Sequence, residues 1–295
     1  MRTVFDLTPP AAGGTGTGRV LYSFTGENGD GSIPVAGLSI GNYGAPYGTT
    51  VWGGAAEMGT VFELTPPAAP GGPWIETVLY SFTGQNGDGY NPYTGVLIGA
   101  DGALYGTTEG GGIVTSACPF SCGTVFVLTR PDSPGGAWKE TVLHRFTGQH
   151  GNGANPRAAL VMSGSGAFYG TTLRGGSGSC SDNGGTGCGT VFELSPPPSP
   201  GNAWTQNALY SFTDQDGDGA APNAGVAVGG SGAIVDAISN GGSAPCVNFS
   251  PNTPPGCGTV FELTPPPGRG GNLDGDHTLQ LFGPIGNGWI LGQRR

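Results

Sequence analysis

The chain has 295 residues, a formal net charge of −10 and a pI near 4.5, with ten basic residues in all. With no run of Lys or Arg except Arg294 and Arg295, it lacks the clustered cations that a phosphate backbone or an anionic membrane surface requires. No apolar stretch approaches the ~18 residues of a membrane-spanning helix, so nucleic-acid binding and membrane insertion are both excluded.

The 61 glycines and 26 prolines would suit a disordered chain, but 36% of the residues are hydrophobic and only 10% charged. The apolar residues sit in short runs, which is the mixture produced by many short strands joined by Gly/Pro turns. The first such run, Thr3–Thr8, holds Thr-Val-Phe-x-Leu, and the same pattern returns at Thr60–Leu64, Thr124–Leu128, Thr190–Leu194 and Thr259–Leu263. The Val-to-Val spacings are 57, 64, 66 and 69 residues, so the chain is a tandem repeat with copies starting near 2, 59, 123, 189 and 258, and it reads as one domain over 1–295.

Each copy carries further signals in fixed order. Leu-Tyr-Ser-Phe stands at Leu21–Phe24, Leu79–Phe82 and Leu209–Phe212, with variants at Leu143–Phe146 and Leu279–Phe282. A Gly-rich turn follows, then a proline (Pro34, Pro92, Pro156, Pro222), then Tyr-Gly-Thr-Thr at Tyr47–Thr50, Tyr105–Thr108 and Tyr169–Thr172, decayed to Val235–Ile238 in the fourth copy. A Gly-Gly pair closes each unit. In the second unit, Val96–Ile98, Ala103–Thr108, Thr124–Thr129 and Trp138–Thr147 read as four sequential strands, with Asp101-Gly102 as a hairpin turn. Four antiparallel strands with both faces fairly apolar describe a propeller blade.

The predicted fold is therefore an all-β propeller of about five blades. Four are complete: Val35–Thr83, Thr94–Thr147, Ala158–Thr213 and Ala224–Phe282. Thr3–Thr8 and Arg19–Thr25 form an incomplete fifth blade shared by the termini, to which Asn287–Gly292 is expected to add a closing strand, because closure removes exposed sheet edges. The alternative makes Gly286-Asn287-Gly288 a worn copy of the Gly-rich turn.

The elements Gly-Thr-Val-Phe-x-Leu-Thr-Pro, Val-Leu-Tyr-Ser-Phe-Thr-Gly, Asn-Gly-Asp-Gly with its proline, Leu-Tyr-Gly-Thr-Thr and Gly-Gly resemble the bacterial tandem repeat called the GloVer repeat, over essentially the whole chain. That resemblance implies an exported or surface-displayed bacterial protein and no assigned activity. More loosely, Gly-Ala-Leu-Tyr-Gly-Thr-Thr is similar to blades of the NHL and lactonase-like propellers.

The six cysteines form three local pairs, Cys118/Cys122, Cys180/Cys188 and Cys246/Cys257, each in the loop after Gly-Gly. That loop has 4 residues and no cysteine in the first unit, then 10, 12 and 15 residues with two cysteines each. A longer loop loses more entropy on ordering and a local crosslink removes part of that loss, so each pair is expected to be a disulfide. Free thiols and a metal site are the alternatives, but zinc wants four Cys/His ligands and each loop offers two thiols. Disulfides imply an oxidising compartment. Met1 nevertheless runs straight into the first strand with no signal-peptide pattern, which reads as a start lying upstream or as part of a longer reading frame.

No nucleophile elbow, phosphate loop or zinc-protease motif is present. His144 replaces the tyrosine of Leu-Tyr-Ser-Phe, His150 sits in the Gly-rich turn, His277 starts the last copy, and Glu63, Glu193 and Glu262 recur at one strand position; all read as repeat features. In the fourth copy of the turn, Asp214, Asp216 and Asp218 alternate before Gly219 like the first half of a calcium loop, but position twelve is Gly225 instead of Glu. They form a weak Ca²⁺ candidate beside the plainer reading of a solvated turn, and Asn272, Asp274 and Asp276 form a second. Trp74, Trp138 and Trp204 read as inter-blade packing, or alternatively as a ring of aromatics for sugars.

These residues give a noncatalytic extracytoplasmic propeller acting as a binding or scaffold module, its partner a surface glycan or another protein, with no cofactor unless Ca²⁺. The alternatives are a lactonase-like or lyase-like propeller enzyme and a partial gene product of a longer surface repeat protein.

Overall fold

The computed structural model describes residues 2–10, 14–133, 135–180, 187–199, 201–215, 217–241 and 258–264, and the backbone of 278–285 and 288–294. It is all-β, built around four antiparallel sheets whose strands follow one another in sequence order. The first sheet holds Ser39–Ile40, Pro46–Thr50, Thr60–Thr65 and Ile75–Ser81. The second holds Leu97–Ile98, Leu104–Thr108, Thr124–Thr129 and Lys139–Arg145, within a residue or two of the sequence reading. The third holds Val161–Met162, Phe168–Thr172, Thr190–Ser195 and Thr205–Ser211. The fourth holds Ala227–Val228, Ile234–Ile238, Thr259–Thr264 and Thr278–Ile285.

An N-terminal hairpin, Arg2–Thr8 with Thr17–Phe24, repeats the outer half of such a sheet. Its ladder shifts register between Val4 and Phe5, as the outer ladders of the first three sheets do at Val61/Phe62, Val125/Phe126 and Val191/Phe192. A bulge of this kind bends the strand and increases its local twist.

The sheets stack face to face, and one aromatic contact recurs at every joint. The phenylalanine ending Leu-Tyr-Ser-Phe meets the phenylalanine of Thr-Val-Phe on the next sheet. The pairs are Phe24–Phe62, Phe82–Phe126, Phe146–Phe192 and Phe212–Phe261, edge-to-face at 5.0, 5.1, 5.1 and 5.3 Å between centroids. This geometry suits the ring quadrupoles, and it puts the core between sheets. The Gly of Tyr-Gly-Thr-Thr makes room for it: a Cβ on Gly106 would lie 2.6 Å from the Phe126 ring.

A polar contact accompanies the aromatic one at the three joints between the four sheets. Thr49 Oγ1 donates to Thr94 O at 2.7 Å and Thr171 Oγ1 to Ala224 O at 3.1 Å, each reaching the segment after the next proline. The residue before that proline is held at positive φ: Ile33 (64°), Asn91 (54°), Asn155 (56°) and Ala221 (55°). Asn91 and Asn155 each also donate a side-chain bond to the preceding sheet, Asn91 Nδ2 to Val51 O at 2.8 Å and Asn155 Nδ2 to Glu109 O at 2.9 Å.

Two features depart from the sequence reading. Gly288–Arg294 pairs with Thr278–Ile285 as a fifth strand of the fourth sheet, whereas the expectation made it a third strand of the N-terminal blade. Ile285 pairs with Gly288, so two residues connect these strands. A two-residue connection returns the chain onto the strand it has just left, without the loop-closure entropy of a distant partner. The second feature is a set of two-residue ladders missed by the sequence reading. Gly31–Ser32 pairs with Trp52–Gly53, Gly89–Tyr90 with Gly110–Gly111, and Gly153–Ala154 with Arg174–Gly175, tying the Gly-rich turn to the Gly-Gly segment.

Candidate functional site

The turn that carries the calcium candidate is built on one plan in the three copies with an acid, while in the third copy Asn152 stands in its place and accepts from Thr147 N at 2.9 Å. Asp30 Oδ2 accepts from Thr25 N and Oγ1 at 2.6 and 2.7 Å, and Asp88 Oδ2 from Thr83 N and Oγ1 at 2.7 Å each. In the fourth copy Asp218 is fully buried. It accepts from Tyr210 Oη at 2.9 Å, from Thr213 N and Oγ1 at 3.0 and 2.8 Å, and from Gln215 N at 3.1 Å. Its acceptor sites are thus occupied by the turn itself. Asp214 takes the positive-φ position held by Gly26, Gly84 and Gly148 elsewhere, and Asp216 lies outside the described residues, as do Asn272, Asp274 and Asp276. The plainer reading accounts for Asp214 and Asp218 without a ligand.

The structure joins Cys118 to Cys122, with Cα atoms 5.4 Å apart, and Cys180 to Cys188, at 5.2 Å. Cys246 and Cys257 fall outside the described residues. His144 is half-buried and is held down at about 4 by that desolvation, with a hydrogen-bond contact to Asn152 acting the other way. His150 occupies the left-handed position of its turn at φ 53°; His277 is not among the described residues. Trp204 stacks on Phe168 with 5.4 Å between centroids, Trp138 packs on the core between the first and second sheets beneath Arg130, and Trp74 packs with Phe24 and Phe62. The tryptophans therefore serve packing.

The most site-like surface lies where the second and third sheets meet, on the side of the Gly-Gly loops. A cleft of about 370 Å³ is lined there by Tyr90, Glu109, Phe120, Ser121, Asn155 and Arg174, among others. Its wall is the loop Cys118-Pro119-Phe120-Ser121-Cys122, closed by the disulfide. Ser121 Oγ lies 2.7 Å from Tyr90 Oη and accepts from Gly111 N at 2.9 Å. With its base fixed this way, the loop holds Phe120 88% exposed. Glu109 is held in turn by Arg157, whose Nε donates to Glu109 Oε1 at 2.8 Å and whose guanidinium lies 4.6 Å from the Tyr93 ring centroid. Arg174, exposed, lines the same cleft.

Sequence reasoning missed this cluster. Its signal is departure from the repeat: Tyr93 and Arg157 follow the proline where the first copy has Val35, and Glu109 follows Tyr-Gly-Thr-Thr where other copies have Val51 and Leu173. The fold does not require these side chains. Among the described residues no group of three or more His, Cys, Asp or Glu gathers as a metal would need, and no helix is long and apolar enough to cross a membrane.

Stacked, sequential four-stranded sheets on a repeat of fixed order define an all-β, propeller-like repeat protein. The chain belongs to the Gloeobacter/Verrucomicrobia repeat family, whose model matches residues 2–250. No curated protein matches the sequence. Among solved structures it is similar to a xylan β-1,4-xylosidase from Bacillus halodurans C-125, at 14% identity and a TM-score of 0.37, over 92% of this chain and 47% of that one. It is also similar to the inulosucrase from Halalkalicoccus jeotgali bound to kestose, at 15% identity and a TM-score of 0.42, over 82% of this chain and 64% of that one. The chain thus spans about half of the xylosidase and under two thirds of the inulosucrase.

Proposed function

We propose that the sheets are blades of a propeller and that the chain is a noncatalytic, extracytoplasmic binding module whose ligand, a surface glycan, seats in the Phe120 cleft. The observation that carries this reading is Phe120 itself, 88% exposed on a loop closed by a disulfide. An apolar ring held out in water costs solvation and gains nothing for the fold. Fixing it beforehand lowers the entropy lost when a ligand binds. A flat ring beside hydrogen-bonding groups, here Glu109 and Arg174, matches a sugar, which offers an apolar face and a rim of hydroxyls. The cleft's carboxylate, Glu109, is tied to Arg157, which supports binding over acid–base chemistry. The two disulfides support an oxidising compartment.

A glycan array probed with the oxidised protein and with Phe120→Ala tests this. The expected result is a restricted set of bound glycans that Phe120→Ala loses, all recovered unhydrolysed. Equal binding by both proteins would place the site elsewhere. Cleaved glycans would favour the enzyme alternative, and capture of a protein in place of any glycan would change the partner class.

A further inference from the structure

The first three joints between sheets each carry a second polar contact, formed by three repeat positions. One is the tyrosine of Leu-Tyr-Ser-Phe, one the acid of the Gly-rich turn, and one the residue at the start of the outermost strand of the next sheet. At the first joint these are Tyr22, Asp30 and Glu76; at the second, Tyr80, Asp88 and Glu140. At the third they are His144, Asn152 and Gln206: the acid and its partner have both become amides, and the tyrosine has become histidine. There Asn152 Nδ2 donates to Gln206 Oε1 at 2.6 Å, so the two positions touch directly across the joint.

The two carboxyl pairs occupy the positions of that amide pair. Asp30 Oδ1, Glu76 Oε1, Asp88 Oδ1 and Glu140 Oε1 are all buried without a hydrogen-bond partner. Two carboxylates cannot hydrogen-bond each other, whereas a carboxylic acid and a carboxylate can. A calcium ion would take six to eight oxygens, and among the described residues no group of three or more His, Cys, Asp or Glu gathers at either joint.

We propose that Asp30–Glu76 and Asp88–Glu140 each share one proton between carboxyl groups, making the first two joints acid-stabilised clamps, while the Asn152–Gln206 contact is a neutral copy that holds no shared proton. The proton sits on the glutamate, which donates to the aspartate. As the pH rises the proton passes to solvent and leaves two facing carboxylates that repel.

The surrounding charges agree. Glu76 is pushed up to about 7 by burial and then by the charge of Asp30. Glu140 is likewise pushed up to about 7 by burial and then by Asp88, with Arg145 acting the other way. The remaining titratable groups facing the pairs are Tyr22, pushed up to about 12 first by burial, and Tyr80, pushed up for the same first reason. Neither tyrosine ionises in the range where the clamps open. Because both glutamates have folded values above their unfolded ones, the clamps hold at acid pH and are lost as pH rises through about 7.

Thermal melting between about pH 5.5 and 8.5 tests the clamp in three full-length proteins. The wild type should lose several degrees across this range. Glu76→Gln/Glu140→Gln, which copies the third joint, should lose much less. His144→Tyr/Asn152→Asp/Gln206→Glu, which installs a third clamp, should lose more than the wild type. Asp236, also pushed up to about 7 by burial, is common to all three and sets their shared background. Superimposable profiles would overturn the proposal. If a variant does not fold, carboxyl-carbon NMR of the wild type decides: Glu140 and Asp88 each reporting the other's titration step sustains the clamp, and Glu140 titrating in a single step that Asp88 does not sense overturns it.

Discussion

Phe126→Ala tests how the sheets hold together. Phe126 is fully buried, its ring wedged between Phe82 of the previous sheet, at 5.1 Å, and Gly106 of its own. Removing a buried phenylalanine costs about 3–5 kcal/mol through lost transfer energy and the cavity left behind. The edge-to-face pair with Phe82 adds about 1 kcal/mol, so the expected loss is about 4–6 kcal/mol. Phe5 is the same residue at the same repeat position, yet it is 60% exposed with no described sheet over it. Phe5→Ala should cost less than about 1 kcal/mol. Urea denaturation followed by far-UV circular dichroism measures both. A Phe5→Ala loss within ~1 kcal/mol of the Phe126→Ala loss would refute the reasoning, because the energy would then lie in the strand and not in the joint.

Three further outcomes follow from the same geometry. Ala221→Asn should stabilise by about 0.5–1 kcal/mol in the same assay, since Asn tolerates φ 55° and its amide can reach the carbonyl of Leu173, as Asn91 and Asn155 do with theirs. Cys118→Ser/Cys122→Ser should cost about 2 kcal/mol by loop entropy, and non-reducing peptide mapping should show Cys118–Cys122, Cys180–Cys188 and Cys246–Cys257 in the wild type. Asp218→Ala should cost about 3 kcal/mol whether or not calcium is present, because it leaves the Tyr210, Thr213 and Gln215 donors without their acceptor. A melting temperature that rises with millimolar Ca²⁺, and no longer rises in Asp216→Ala, would restore the cation reading of that turn.

The strands were legible because Thr-Val-Phe-x-Leu and Tyr-Gly-Thr-Thr carry the β pattern directly and Gly or Pro bounds them. The two described disulfides were legible because local pairing was all that separated sheets allow. The placement of Gly288–Arg294 is not legible in the sequence, because ring closure and a two-residue return onto Thr278–Ile285 both remove an exposed edge and only the second avoids the entropy of a distant partner. The carboxyl clamps were invisible as motifs, since Asp88 and Glu140 lie on different sheets and meet only in the stack. Their trace was nonetheless present in the paired change to Asn152 and Gln206. Phe120 escaped notice because a single aromatic between two cysteines fits no repeat position. Its meaning lies in its exposure, which a sequence does not state.

If the Phe120 cleft seats a glycan, the deciding quantity is the dissociation constant, by titration calorimetry, of the best array glycan for the wild type, Phe120→Trp and Phe120→Ala. Stacking predicts that Trp binds as tightly as the wild type or more tightly, and that Ala loses at least about tenfold, or 1.4 kcal/mol. Three equal constants would contradict it.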